Sequence, residues 1–169
     1  MNQRTRYLTH AAMIAALYAA LTHLQNLLLP GSATWMIQMR LAEMLCVLAF
    51  FTPAAIAGLA AGCLVFNITF AGSLPLDFLV GSLATLLAAW AMWETRNVTV
   101  KGYPLPGMLM PAAFNALLVG WELSVYIGGG FLLNALYVAI GEGAVLLSFG
   151  TALYYGLKKR GLPAKLFTA

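Results

Sequence analysis

Residues 37–51, "IQMRLAEMLCVLAFF", set Arg40 and Glu43 in a run that is otherwise apolar. Composition decides how that run is read. With 62% apolar residues, 8% charged residues and a mean hydropathy of +0.87, the 169-residue chain has too little polar surface to coat a water-soluble globule. It reads as an all-α membrane protein, because a helix in hydrocarbon satisfies its own backbone. The two charges then lie within a membrane span. An ionised group at mid-depth costs roughly 2.5–3.5 kcal/mol on insertion scales, so each needs a partner.

Apolar runs broken by Pro, Gly or charge predict six transmembrane helices, over about 7–29, 35–51, 54–70, 76–93, 107–127 and 131–156. The breaks are "LPGSA", "FTPAA", "GSLP", "ETRNVTVKGYPLP" and "GGG", and all but the fourth are short. Successive helices should therefore be antiparallel neighbours in one integral membrane domain, 1–169, with no soluble domain. The second span is the weakest. Only 17 residues precede Thr52, and the charges lower its hydropathy, so it should be tilted or partly interfacial.

With the N-terminus cytoplasmic, six spans put Arg4, Arg6, Arg96, Lys101 and the basic tail Lys158, Lys159, Arg160 and Lys165 on the cytoplasmic side. That bias is the main topological rule, and it leaves Arg40 as the exception. Residues 1–33 are long for a signal peptide and contain Thr22, His23, Gln25 and Asn26, which favours a retained span.

Several function classes are excluded. The chain has no HExxH, GxSxG, P-loop or glycine-rich dinucleotide motif, so it carries no recognisable catalytic or ATP-hydrolysing apparatus. Its cations are scattered, without the aromatic interleaving of a nucleic-acid surface. His10 and His23 cannot share a metal site along one helix, so no metal is expected. Cys46 and Cys63 lack CxxC spacing and read as packing residues.

The acids are the informative residues. Glu43 falls in the outer half of the second span, Asp77 at the outer start of the fourth, Glu122 near the outer end of the fifth, and Glu142 near the middle of the sixth. Glu94 lies at the cytoplasmic rim. Arg40 and Glu43, three residues apart, can pair on one helical face. One arginine against four carboxylates still leaves three in excess. Protons on one or two acids, or a ligand that is cationic or rich in N–H donors, must offset it.

Neighbouring polar residues favour the ligand. Asn115 and Glu122 share a face of the fifth helix, Asn134 and Glu142 a face of the sixth, and Asn67 closes the third at the same level. Paired Asn and Glu suit a planar heterocycle, since a carboxylate accepts from adjacent N–H groups and an amide reads a carbonyl or ring nitrogen. Trp35, Trp121 and Tyr126 are near enough in depth to stack on such a ring or cover it. Glu122 and Glu142 stand out most, because no basic residue is available at their depth.

Ala11, Ala12, Ala15, Ala16, Ala19 and Ala20 form two overlapping small-residue tracks on the first span, a surface that another helix, of this bundle or of a partner, can approach closely. No inverted repeat or broken span supplies a transport engine, so a binding subunit that borrows energy from partners fits better than a self-sufficient pump. A stand-alone proton-coupled secondary transporter is the main alternative, and an intramembrane enzyme using Glu142 and Asn115 a remoter one.

The stretches "MRLAEMLCVLAFFTPAAIAGLAAGCLVFN", "DFLVGSLATLLAA", "FNALLVGWEL" and "IGEGAV" together resemble the queuosine precursor transporter family, over roughly residues 35–150. The resemblance implies a substrate-binding S component of an energy-coupling factor importer, in the cytoplasmic membrane of a prokaryote. It implies a six-helix fold with an outer pocket closed by loops, and a deazaguanine ligand such as queuine or its cyano and aminomethyl precursors. The implied partners are a transmembrane coupling subunit, which docks on the alanine-rich first helix, and two cytoplasmic ATPases. ATP would be used by those partners, with no cofactor in this chain. The matched site positions are Arg40, Glu43, Asn67, Asp77, Asn115, Glu122 and Glu142. Glu122 or Glu142 would take the guanine-like edge, a second acid such as Asp77 or Glu43 the amine, and Arg40 would orient Glu43.

Overall fold

A computed structural model describes residues 2–32 and 37–163, and all its described regular structure is helical apart from one isolated bridge between Val100 and Tyr103. The α-helices are α1 (Gln3–Leu28), α2 (Ala54–Thr69), α3 (Asp77–Glu94), α4 (Leu105–Met108), α5 (Met110–Tyr126), α6 (Phe131–Val145) and α7 (Thr151–Lys159). A 3-10 helix, Leu41–Phe50, precedes α2, and a π turn, Leu146–Gly150, joins α6 to α7. These elements make six helical rods, because α4 and α5 run on as Leu105–Tyr126 and α6 to α7 as Phe131–Lys159.

Local chemistry sets the breaks. Asn2 caps α1 by accepting from the Arg4 N–H, and the helix stops before Pro30 and Gly31, whose φ of 84° is left-handed. Pro111 lacks the N–H that would continue the ladder, and the rod jogs at Leu109. At Gly128, Gly129 and Gly130, φ values of 88°, 81° and 84° turn the chain from α5 into α6, a path that only glycine follows without strain.

The second rod corrects the sequence expectation. It is a 3-10 helix of 10 residues, where an α-helix over 35–51 was expected, and Trp35 lies outside the described residues. At about 2.0 Å per residue it rises roughly 20 Å, short of a ~30 Å hydrocarbon layer. Its position explains the narrow form. It touches α1, α2, α3, α6, α7 and the π turn, and seven of its ten residues are buried. A thin rod fits the bundle axis, and the surrounding helices shield its weaker hydrogen bonds.

Among the described residues, three rods are long and apolar enough to cross a membrane, Gln3–Leu28, Leu105–Tyr126 and Phe131–Lys159, while Leu41–Phe50 and Ala54–Thr69 are apolar but shorter. Outward faces are apolar, with Leu27 78% and Leu132 80% exposed. Such a belt suits lipid, because a water-soluble surface of this kind would aggregate.

The ends of the rods sort into two groups. At one end Gln3, Arg6 and His10 line a groove with Thr52, Pro53 and Ala54, and the Tyr103 hydroxyl lies 2.5 Å from that of Thr151. All described basic residues except Arg40 belong to this end. There the Arg96 guanidinium lies 3.9 Å from the Trp93 ring centroid, as at a membrane interface. At the other end, Gln25 bonds the 38–41 segment and Asn67 bonds the start of α3.

Small residues seat α1 on α2. A Cβ on Gly58 would lie 2.7 Å from the Ala11 carbonyl oxygen, and one on Gly62 2.7 Å from that of Ala15. The alanine tracks thus divide. Ala11, Ala15 and Ala19 are half-buried, Ala11 and Ala15 against α2, while Ala12, Ala16 and Ala20 are exposed.

Candidate ligand-binding site

Four of the five acids are buried, Glu43, Glu122 and Glu142 at 0% exposure and Asp77 at 5%, and Arg40 lies among them at 1%. Glu94 is exposed at the basic end. The axial 3-10 helix brings Arg40 and Glu43 to the middle of the bundle. Three-residue periodicity stacks Glu43 under Cys46, whose thiol donates to Glu43 Oε2 at 3.0 Å. The Tyr18 hydroxyl, from α1, donates to Oε1 of the same carboxylate. Both oxygens of Glu43 are therefore held by protein groups.

Arg40 is positioned from two sides. Its Nη2 donates to Gln38 Oε1 at 3.3 Å and its Nη1 approaches Cys63 Sγ at 3.7 Å. Gln25 fixes the backbone around it: Nε2 donates to the Met39 carbonyl at 2.7 Å, and Oε1 accepts from the Leu41 N–H at 2.8 Å. Gly141 lets the Gln38 backbone lie on α6, since a Cβ there would collide with the Gln38 carbonyl oxygen. Held in this way, the guanidinium lies buried with Glu43, Asp77, Glu122 and Glu142.

The other acids come from α3, α5 and α6. Val80, Ala84, Val119, Leu123 and Val138 form an apolar cluster that joins these helices. Asp77 lies one turn beyond Val80 toward the outer end, and Glu122 one turn beyond Val119, so the apolar cluster brings both buried carboxylates to the same outer level. Asp77 Oδ2 accepts from the Leu74 N–H at 2.9 Å, and Asn67 Nδ2 donates to the Asp77 carbonyl at 2.8 Å. A Cβ on Gly81 would meet that amide nitrogen at 2.9 Å. Deeper in, Asn115 Nδ2 donates to Glu142 Oε2 at 2.6 Å.

What is left over defines the chemistry. Among the described residues, both oxygens of Glu122, Oε1 of Glu142, and the Oδ1 atoms of Asn115, Asn67 and Asn134 are buried without a hydrogen-bond partner. All six are acceptors. A buried acceptor left unpaired costs about 1–3 kcal/mol, so a cluster of them is a site that donors would complete.

The structure thus brings Arg40, Glu43, Asn67, Asp77, Asn115, Glu122 and Glu142 into one buried polar region. Asn134 is buried at its rim, where Nδ2 holds the Gly128 carbonyl at 2.7 Å across the glycine turn. Trp121 and Tyr126 are 49% and 42% exposed, on the outside of α5 and away from the buried acids. Tyr18, Gln25, Gln38, Cys46 and Cys63 are the residues that sequence reasoning missed. A usable signal existed on α1, where Tyr18, Thr22, Gln25 and Asn26 recur at helical spacing along one buried face.

The family model described as QueT transporter matches residues 8–159, nearly the whole helical bundle. The chain belongs to the QueT transporter family. No curated protein and no solved structure gave a match. As a QueT transporter it is a membrane protein that handles a small molecule, and not an enzyme. The matched range includes every residue of the buried polar region.

Proposed function

We propose that this QueT transporter is the membrane-embedded binding subunit of an energy-coupling factor importer, which captures a queuosine precursor in the buried polar region from the outer side. The carrying observation is a set of six unpartnered buried acceptors, three on Glu122 and Glu142 and three on asparagines, in a region that also buries Glu43, Asp77 and Arg40. A deazaguanine complements that set. Its ring N–H and exocyclic amine donate side by side, and queuine and the aminomethyl precursor add a cation.

Energy comes from partner ATPases in this reading, because the chain has no nucleotide-binding motif of its own. The exposed track Ala12, Ala16 and Ala20 is the face on which the coupling subunit docks, and the basic end of the bundle is cytoplasmic in a prokaryotic cell membrane. The test is calorimetric titration of the purified protein with queuine, the cyano and aminomethyl precursors, and guanine. Saturable binding of at least one deazaguanine is expected. Heat no greater than dilution for all of them would refute the assignment.

A further inference from the structure

The groove at the basic end of the bundle has the opposite polarity to the buried region. Arg6 and His10, one turn apart on α1, face the 52–54 corner that opens α2, and Gln3 completes the wall of a cavity of about 290 Å³. Thr52 is buried in that corner, and its Oγ1 accepts from the Ala54 N–H at 3.3 Å, so the start of α2 spends that donor on its own chain. The donors offered to the groove therefore come from side chains: the Arg6 guanidinium, the Gln3 amide and a ring N–H of His10. Among the described residues no acid lines it, and the first turn of α2 carries none. Donors and positive charge without an acid suit an anion, and the forked guanidinium suits the paired oxygens of a phosphate.

Shape and depth decide which phosphate. At about 100° per residue, the order around α1 is Arg6 and His10, then Gln3 and Tyr7, then Arg4 and Leu8. Gln3 and Tyr7 line both the polar groove and a second one of about 440 Å³, whose other walls are Arg4 and Leu8. Tyr7 is 40% and Leu8 65% exposed, so the second groove is largely apolar and open to lipid. Arg6 precedes Tyr18, at the bundle centre, by 12 residues, which is about 18 Å along the helix and just beyond the ~15 Å half-thickness of the hydrocarbon. Lipid phosphates lie at that level. Leu8, two residues further in, stands where acyl chains begin. A free phosphate would fill the polar groove alone, whereas a phospholipid occupies both, and basic pockets between helices at this level take anionic headgroups.

We infer that the groove between the first turns of α1 and the 52–54 corner binds one anionic phospholipid from the leaflet at the basic end. Arg6, His10 and Gln3 hold its phosphodiester, and an acyl chain lies along Tyr7 and Leu8.

The test is native mass spectrometry of the purified protein in detergent, titrated with phosphatidylglycerol, with phosphatidylcholine of the same acyl chains, with glycerol 3-phosphate and with inorganic phosphate. Wild type is expected to hold one phosphatidylglycerol roughly 10-fold or more tightly than phosphatidylcholine, the scale of one charge-assisted contact, and to hold the two chain-free phosphates more weakly still. Arg6→Gln combined with His10→Gln should abolish the preference. Lys158→Gln combined with Lys159→Gln removes two charges from the same end and should leave it intact. Should the first pair fail to fold, Arg6→Gln alone carries the comparison. Equal retention of the two lipids by wild type, an equal loss in both pairs of variants, or a chain-free phosphate bound as tightly as the lipid overturns the site.

Discussion

Tyr18→Phe removes a single hydroxyl from the centre of the bundle. The ring keeps its volume and the Tyr18 Cβ its place against Gly62, so no cavity opens, and the change isolates one hydrogen bond. That bond is donated to Glu43 Oε1, and the carboxylate is fully buried, so its oxygen has no route to bulk water once the donor is gone. A buried acceptor left in this way costs about 1–3 kcal/mol, and the Cys46 thiol still holds the other oxygen. The unfolding equilibrium should therefore shift by a factor of roughly 5 to 150. Reversible unfolding of the purified protein in mixed micelles measures it. The cycle of Tyr18→Phe, Glu43→Gln and the double variant should give a coupling of about 1–2 kcal/mol, because the two residues share one contact. Strictly additive effects, or a Tyr18→Phe variant within about 0.3 kcal/mol of wild type, would refute the claim that α1 holds the axial acid.

Further outcomes follow from the same contacts. Gly141→Ala puts a methyl against the Gln38 carbonyl oxygen, so it should cost about 1–3 kcal/mol by displacing the Arg40 segment and should weaken ligand binding by titration. Ala15→Leu drives a side chain at the Gly62 contact and should lower stability in micelles, whereas Ala12→Leu or Ala16→Leu should leave stability and ligand affinity unchanged and reduce only uptake with partner subunits. In liposomes, the chain alone should not accumulate ligand under a pH gradient; accumulation without ATPases would instead support a proton-coupled secondary transporter.

The fold class was legible because lipid imposes a single demand on the sequence, long apolar stretches with charges at their ends. The acids were legible for the same reason, since Asp77, Glu122 and Glu142 have no place in hydrocarbon unless they face inward. The geometry of the second rod was not. Residues 41–50 carry no local signal that separates a 3-10 from an α-helix, and the choice is made by five α-helices crowding the bundle axis. That choice decides who meets Glu43: a three-residue repeat delivers Cys46, and α1 delivers Tyr18. The cysteines read as packing residues because spacing rules look for metal or redox pairs, while here Cys63 approaches Arg40 across the bundle and Asn67 one turn along its own helix. Trp121 shows the opposite error. Depth along a helix places it beside Glu122, yet a step of one residue turns it about 100° away, to the outside.

The central claim is that buried acids stand ready for a donor-rich ligand, and Glu142 tests it most directly. Titration of Glu142→Gln against wild type with 7-aminomethyl-7-deazaguanine should show at least a 100-fold loss of affinity in a protein whose melting temperature is unchanged. Affinity retained in that variant would contradict the account.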